Sequence, residues 1–179
     1  MTKTRAANAH CHFCGTGLGT GPYPRTCSGC GAQIWANPIP VAVALVPLAG
    51  GLLAIRRAIP PGVGKLALPG GFVEEHETWQ HGCAREVREE TGIVIDPASL
   101  APLWYTSTEP RPNRVLLFAV SAPPLEVPAF QSDSETSERG VIHGPGGLDD
   151  VFAFSLHAEA ARRYFATLGS TGAHGFTAR

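Results

Sequence analysis

The 179-residue sequence predicts an α/β domain that follows a small cysteine-rich domain. Two observations support this prediction. Between residues 37 and 168, apolar strand-like runs alternate with turns and with two segments of helical pattern. Residues 1–36 instead hold few large apolar side chains and four of the five cysteines. The predicted domains are therefore residues 1–36 and residues 37–179.

Composition and charge exclude several classes of protein. Hydrophobic residues make up 44% of the chain and charged residues only 16%, so disorder is excluded. Fourteen basic residues face fifteen acidic ones, and the net charge of −1 gives no strong attraction to nucleic acid or an anionic membrane. The longest apolar run, residues 39–55, is broken by Pro47 and Gly50-Gly51, so no membrane span is expected. The first residues lack the apolar stretch of a secretory signal, and a cytoplasmic location is expected.

Local patterns predict the elements of the larger domain. Val41–Val46 and Leu52–Arg57 flank Gly50-Gly51, which predicts a β-hairpin. The segment from Thr78 to Thr91 lacks proline and precedes Gly92, which predicts a helix with Thr78 as its N-cap. Further strands are predicted at Leu66–Leu68, Ile93–Ile95, Leu103–Thr106 and Val115–Val120, a closing helix at Leu156–Leu168, loops at 131–140 and 143–150, and a flexible tail at 170–179.

Four cysteines form two Cys-x-x-Cys pairs, Cys11/Cys14 and Cys27/Cys30, separated by twelve residues. This spacing can bring four thiolates to one tetrahedral point, which suits Zn²⁺. So little apolar content cannot order the segment by burial alone, so metal binding would supply its folding free energy. A shell of four protein ligands leaves no open position, so we expect the zinc to be structural. Free or disulfide-bonded thiols are the alternative, and His10 or His12 is an alternative ligand.

Six of the fifteen acidic residues lie between positions 74 and 90. On a helix, Glu86, Glu89 and Glu90 stand at i, i+3 and i+4 and share one face. Like charges in this arrangement destabilise a helix by tenths of a kcal/mol per pair, roughly, unless cations neutralise them. Clustered carboxylates suit Mg²⁺ or Mn²⁺, which take the rest of their ligands from water and phosphates. The pattern favours metal-assisted phosphoryl chemistry.

The same segment matches the pattern G-x₅-E-x₇-R-E-U-x-E-E-x-G-U, where U is bulky and apolar. All nine specified positions are filled: Gly71, Glu77, Arg85, Glu86, Val87, Glu89, Glu90, Gly92 and Ile93. The segment resembles the Nudix box of the Nudix hydrolase family, and the resemblance extends over about residues 38–168. It implies an α/β/α sandwich around a mixed sheet. It also implies cleavage of a nucleoside diphosphate linked to another moiety.

The resemblance implies roles for individual residues. Glu86, Glu89 and Glu90 match the ligands of a catalytic Mg²⁺ or Mn²⁺, and a carbonyl at Gly70 would complete that shell. Among the structural residues of the box, Glu77 and Arg85 match a pair in which the glutamate steadies the arginine, and Gly71 and Gly92 match the box glycines. His76 departs from the family, which commonly has glycine there.

A general base is also implied, either a box glutamate or an acid on a later loop. Glu135 and Glu138 stand where family members often place such a residue. Of these two, Glu138 is predicted to join the three box glutamates as a catalytic residue.

A cysteine ribbon before a Nudix domain resembles two groups of enzymes. The NADH pyrophosphatases carry a substrate motif after the box, but the corresponding residues 107–114 here lack its Gln and Trp. The second group resembles ADP-ribose and FAD pyrophosphatases and is favoured. Aromatic and basic residues are candidate contacts to adenine and phosphate. They are Trp35, Trp104, Tyr105, Arg111 and Arg114.

Other functions stay open at the level of sequence. The domain could hydrolyse a different nucleotide, or the ribbon could make the protein a nucleic-acid or protein-binding module with an inactive Nudix domain. Between His10 and Ala36, however, Arg25 is the single Lys or Arg, whereas nucleic-acid modules need a basic stripe. A small nucleotide diphosphate derivative is therefore the expected partner. A homodimer stays open at the level of sequence, because many Nudix enzymes dimerise.

Overall fold

The computed structural model describes residues 9–108 and 113–179. The chain separates into two compact units, Met1–Pro38 and Ile39–Arg179. In the described part of the chain, no helix has both the length and the apolar character needed to cross a membrane.

The smaller unit is built on two tight turns and a pair of short strands. Strand β1 (Arg25–Thr26) pairs antiparallel with β2 (Gln33–Ile34). Its buried apolar cluster, as far as the structure describes it, consists of Cys11, Cys27 and Ile34. So small a core cannot offset the entropy of ordering the segment, which fits the predicted need for a metal.

The larger unit contains two β-sheets. One has the order β7–β3–β9–β8, formed by Gly70–Phe72, Ile39–Leu45, Arg114–Val120 and Ala101–Ser107. Strands β3 and β9 run parallel and the other neighbours antiparallel, so this sheet is mixed. The other sheet has the order β11–β10–β5–β4, formed by Gly175–Ala178, Thr136–His143, Gly51–Arg57 and Pro47–Leu48, with β6 (Leu66–Ala67) paired to β5.

Helices cover both faces of the mixed sheet. They are α1 (Trp79–Thr91), α2 (Leu148–Val151) and α3 (Ser155–Thr167), with a 3₁₀ turn at Pro97–Ser99. Along β3, Ala42 and Ala44 pack in the apolar cluster that contains Val87 of α1. The alternate residues of β3, such as Val43, pack in the cluster that contains Phe165 of α3. The period of two in the strand thus separates the two helices, and the predicted α/β/α architecture is confirmed.

Two predicted strand arrangements are wrong. The strands flanking Gly50-Gly51 do not form one hairpin, because β3 pairs with β7 and β9 while β5 lies in the other sheet. Only the two-residue β4 pairs with β5 across that turn. The segment Ile93–Ile95 is not a strand, although Ile93 and Ile95 are buried in the cluster beside α1. Its apolar pattern reflects burial of a connecting segment rather than pairing in a sheet.

Two segments predicted to lack regular structure contain strands. Within the predicted loop 131–140 the chain enters β10 at Thr136, and β10 pairs with β5 on one side and β11 on the other. The predicted flexible tail contains β11, which pairs with β10 along Gly140–His143. Polar residues such as Thr136 and Arg139 hide the strand in the sequence, yet both are buried.

Candidate functional site

Helix α1 is fixed at both ends by capping contacts. The Thr78 hydroxyl accepts the N–H of His81 at 3.4 Å, and Gly92, at φ +73°, donates its N–H to the Arg88 carbonyl at 2.9 Å. The predicted N-cap and the glycine at the C-terminal end are both confirmed. These caps set the helix boundaries within which the acidic residues are displayed.

Arg85 is the central cation of the α1 surface. Its guanidinium donates to both carboxylate oxygens of Glu77, at 2.8 and 3.1 Å, and to the Phe72 carbonyl at 2.9 Å. It also reaches Glu86 and Glu89, each at 2.9 Å. The hydrogen bonds from Arg85 hold the pKa of the Glu77 carboxyl below its usual range. The structure thus brings the predicted Glu77–Arg85 pair into contact and ties two of the box glutamates to it.

Two glycines bring the β7 backbone close to the carboxylates. The Gly70 N–H donates to Glu90 at 2.9 Å. A Cβ on Gly70 would lie 2.5 Å from the Ala42 carbonyl oxygen, and a Cβ on Gly71 would overlap the Glu86 carboxylate. Any side chain at either position would therefore displace the neighbouring strand or the acidic group.

The acidic residues surround a pocket of about 260 Å³. Its lining consists of Glu86, Glu89, Glu90, Asp133, Ser134 and Glu135. Burial, opposed by the Gly70 N–H and reinforced by the charge of Glu86, raises the pKa of Glu90 to about 8. Burial also raises the pKa of Glu86. Partly buried carboxylates that crowd one another in this way are suited to bind a divalent cation.

In the later acidic loop, Glu135 lines the acidic pocket and the predicted Glu138 does not. Glu138 accepts a hydrogen bond from Arg56 at 2.6 Å and does not line the acidic pocket. Glu135 lines it instead, and Asp133 accepts the N–H groups of Glu135 and Thr136, both at 2.7 Å. The structure therefore places Glu135 beside the box glutamates and pairs Glu138 with a cation. Asp133 was the available sequence signal, because an aspartate side chain often caps a turn by accepting the backbone N–H two residues on.

A larger cleft of about 770 Å³ adjoins the acidic pocket and shares Glu90 with it. Apolar residues of the sheet, among them Val41, Leu68 and Leu116, line part of this cleft. Gly70 and Gly71 stand in its wall, so the cleft opens directly beside the carboxylates. The arrangement offers an apolar surface next to a site for hard cations, which suits a nucleotide.

The residues predicted to contact substrate lie in different places. Arg114 lines the cleft, with its guanidinium carbon 5.4 Å from the centroid of the Phe72 ring. Trp104 does not line it, because its ring stacks on Phe118 at 5.3 Å. Tyr105 is 75% exposed and also lies outside the cleft lining. Arg111 falls outside the described residues. Trp35 belongs to the smaller unit, where it is exposed.

The cleft lining also includes Arg57, Phe154 and His157, which no sequence pattern connected with a site. His157 is buried, and its Nδ1 accepts the Leu68 N–H at 3.1 Å. Burial, with the charge of Arg57 as a second cause, lowers the pKa of His157 to about 3. This histidine is therefore neutral at physiological pH. Its position in the helical pattern of α3 gave no sign of a role in the cleft.

The four N-terminal cysteines converge in the smaller unit. All four Sγ atoms lie within 4.8 Å of one another, with Cys14 and Cys27 3.5 Å apart and Cys11 and Cys30 3.7 Å apart. A tetrahedron with Zn–S bonds of about 2.3 Å has edges of about 3.8 Å. The spacing fits a zinc ribbon and exceeds the roughly 2.05 Å of a disulfide. Neither His10 nor His12 belongs to the cluster, as judged over the described residues.

A mixed sheet between helices, with a glutamate-bearing helix beside a glycine pair, defines the class of Nudix-type α/β/α domains. The sequence model of the NUDIX domain matches residues 38–163. The chain belongs to the Nudix family.

Two curated relatives support this assignment. A MutT-like protein of Streptomyces ambofaciens is 44% identical over 72 residues, which is 40% of this chain and 45% of the relative. An ADP-ribose pyrophosphatase of Methanocaldococcus jannaschii is 34% identical over 81 residues, which is 45% of this chain and 47% of the relative. The chain thus matches about half the length of these curated relatives.

Solved structures show the same fold at low sequence identity. A NUDIX hydrolase from Nitrosomonas europaea has a TM-score of 0.73 at 22% identity, covering 92% of this chain and 95% of its own. The NUDIX domain of Shewanella oneidensis NrtR, crystallised with ADP ribose, has a TM-score of 0.60 at 18% identity, covering 75% and 90%.

Proposed function

We propose that the protein is a divalent-metal-dependent hydrolase that cleaves the pyrophosphate bond of a nucleoside diphosphate linked to another moiety. ADP-ribose, FAD or a similar dinucleotide is the proposed substrate. One observation carries the proposal: Glu86, Glu89 and Glu90 line a pocket that shares Glu90 with a cleft of about 770 Å³, and the glycine pair of β7 stands in the wall of that cleft. A charged diphosphate and a flat apolar base have complementary surfaces there.

The donor set fits Mg²⁺ or Mn²⁺. Glu86, Glu89 and Glu90 present hard oxygen ligands, while Arg85 offsets only part of their charge. We propose these three glutamates, with the Gly70 carbonyl, as the metal-binding residues. When bound, the metal neutralises the diphosphate, polarises the attacked phosphorus and makes water more acidic.

The chain's own groups orient this chemistry. Arg85 holds Glu86 and Glu89 in place, and the Gly70 N–H holds Glu90. Glu135 lies across the acidic pocket from α1, and we assign it the role of general base that accepts a proton from the attacking water. Glu138 is not proposed for this role, because Arg56 already pairs with its carboxylate.

The comparisons support the choice of substrate. The Methanocaldococcus jannaschii relative is named an ADP-ribose pyrophosphatase. A bifunctional enzyme of Francisella tularensis, named for ADP ribose pyrophosphatase activity, was crystallised with AMP and Mn and has a TM-score of 0.53. In this chain, Arg114 and Phe72 supply a cation and an aromatic ring in the cleft wall, which suits a nucleotide ligand.

A hydrolysis screen tests the proposal. The full chain is assayed with Mg²⁺ against ADP-ribose, FAD, NADH, dinucleoside polyphosphates and nucleoside triphosphates, with AMP release as the readout. We expect Mg²⁺-dependent AMP release from ADP-ribose or FAD, and a loss of about 100-fold or more in Glu89→Gln. Glu75→Gln serves as the matched control, because Glu75 is exposed and lies outside the acidic pocket. Turnover within threefold of the wild type in Glu89→Gln would refute the mechanism.

A further inference from the structure

One wall of the cleft carries a cation that has no carboxylate partner among the described residues. Arg57 donates from Nε to the Pro61 carbonyl at 2.8 Å, and its guanidinium carbon lies 5.1 Å from the centroid of the Phe154 ring. The preceding residue differs, since Arg56 forms an ion pair with Glu138 at 2.6 Å. A second guanidinium nitrogen, Nη2, reaches the Ile59 carbonyl at 3.5 Å. Arg57 therefore brings to the cleft a positive charge that forms no ion pair among the described residues.

Helix α3 begins at this same wall without a cap. Within the described residues no side chain caps it, and its first turn holds no acidic residue. The Phe154 carbonyl accepts the N–H groups of His157 and Ala158, at 3.1 and 3.2 Å. Ser155 and Leu156 are the first two residues of the helix, before His157 and Ala158, and both line the cleft. The positive end of a 13-residue helix therefore faces the cleft with unused donors.

His157 adds a third donor from inside the wall. It is 6% exposed, and its Nδ1 accepts the Leu68 N–H, so its proton resides on Nε2. Among the described residues, no acceptor partners this Nε2–H, and the residue lines the cleft. Because His157 lines the cleft, its Nε2–H can donate to an oxygen of a ligand bound there.

We propose that Arg57, the first turn of α3 and the Nε2–H of His157 form an oxyanion subsite for one phosphoryl group of the substrate. This inference rests on the proposed hydrolase function and specifies how the diphosphate is held. The box glutamates repel a bare phosphoryl group, whereas this wall offers donors and one positive charge. One phosphoryl group therefore belongs at the acidic pocket and the other at this wall.

The acidic pocket and the proposed subsite are adjacent, which supports the placement of one phosphoryl group at each. Glu90 lines both the acidic pocket and the cleft, and the charge of Arg57 acts on Glu90 and on His157. Arg57 thus stands within electrostatic reach of both groups. Two linked phosphoryl groups can span sites that share a residue, which favours substrates with a diphosphate over phosphate monoesters.

Calorimetry with inorganic pyrophosphate tests the subsite apart from catalysis. The full chain is titrated in buffer without added divalent metal. We expect Arg57→Gln to weaken binding about tenfold, as the loss of a charged hydrogen bond predicts, and Arg56→Gln to change it less than about twofold. Equal effects of the two substitutions would overturn the subsite, as would wild-type protein that binds no pyrophosphate.

Two further variants separate ligand binding from helix stability. Ser155→Asp places a carboxylate at the first turn of α3, so we expect a higher thermal midpoint together with weaker pyrophosphate binding. His157→Asn keeps an acceptor for the Leu68 N–H but withdraws the Nε2–H, so we expect binding to weaken a few-fold. A merely structural wall would change stability in both variants and leave affinity at the wild-type value.

The hydrolysis screen distinguishes failure of the proposed subsite from failure of the proposed hydrolase function. Binding of pyrophosphate that depends on Arg57, without turnover of any nucleotide, would leave the subsite standing and refute the proposed function. Turnover of ADP-ribose with the same KM and kcat in Arg57→Gln and Arg56→Gln would refute the subsite and leave the proposed function standing.

Discussion

The cysteine cluster of the smaller unit and the acidic pocket of the larger unit both gather groups that repel one another when ionised. Four Sγ atoms lie within 4.8 Å in a unit whose described buried cluster has three residues. The carboxylates instead project from a capped helix packed on an extensive apolar core. We propose that a metal supplies the folding free energy in the first region, whereas in the second region the fold itself holds the carboxylates together.

The largest expected effect is the loss of zinc from the cysteine cluster. We expect about one equivalent of zinc in the purified protein and a loss of most of it in Cys27→Ser, because structural zinc contributes roughly 10–16 kcal/mol at neutral pH. Elemental analysis measures both. Cys83→Ala is the control, since Cys83 is buried in the α/β core and is not part of the cluster. Full zinc content in Cys27→Ser would contradict the four-cysteine site.

The next effect tests the claim that the acidic pocket is held by the fold. We expect Glu90→Gln to reduce Mg²⁺-dependent turnover by about 100-fold or more while the metal-free thermal midpoint stays equal or rises. The reason is that the substitution removes a buried charge whose pKa is raised, yet keeps an oxygen for the Gly70 N–H. Calorimetric unfolding without metal checks the stability. A clearly lower midpoint would show that the carboxylate is part of the structural core.

A smaller effect is expected from the glycine pair. In Gly71→Ala the new Cβ would overlap the Glu86 carboxylate, so we expect Mg²⁺ affinity to fall about tenfold through displacement of that ligand. The dependence of turnover on Mg²⁺ concentration measures it. Gly175→Ala is the matched control, because no atom lies within 4 Å of its added Cβ. Unchanged Mg²⁺ dependence in Gly71→Ala would argue against Glu86 as a ligand.

The smallest effect concerns acid stability, to which the two regions respond through different groups. The folded-state pKa of His157 is about 3, against 6.5 for the free side chain. The unfolded chain therefore binds a proton that the folded chain excludes, and His157 makes stability fall as pH drops from about 6.5 toward 3. At pH 5 this amounts to about 2 kcal/mol at most. Urea unfolding at pH 7 and pH 5 measures it.

His157→Asn should flatten this pH dependence in the larger unit, because asparagine does not titrate. Its zinc content at pH 7 should match the wild type. Zinc release at low pH should persist in the variant, since protons compete with the metal for the thiolates. An equally steep loss of stability in His157→Asn would assign the acid sensitivity to another group.

Local signals predicted the elements whose causes are local. The helix over Trp79–Thr91 followed from Thr78 and Gly92, both of which cap it in the structure. The cysteine cluster followed from its spacing, because tight turns bring each Cys-x-x-Cys pair together. The prediction of one hairpin at Gly50-Gly51 was wrong, because a turn motif does not specify the sheet in which each flanking strand pairs.

The candidate site was predictable where it lies within one continuous segment. Arg85 and the three box glutamates lie within one helix, so helical geometry gathers them, and Glu77 precedes that helix by only two residues. Glu135 and Asp133 join them only because β10 pairs with β5, a contact between distant parts of the chain. The pairing of Glu138 with Arg56 depends on that same register, so the sequence does not reveal it.

The sequence by itself determined the two-domain character, the four-cysteine cluster and the acidic face of α1, since each depends on spacing within a short segment. Only the tertiary structure decided which loop carboxylate reaches the acidic pocket and which arginine faces the cleft. It also decided that His157 is buried and neutral. Those outcomes depend on strand register and on burial, which are properties of residues far apart in the chain.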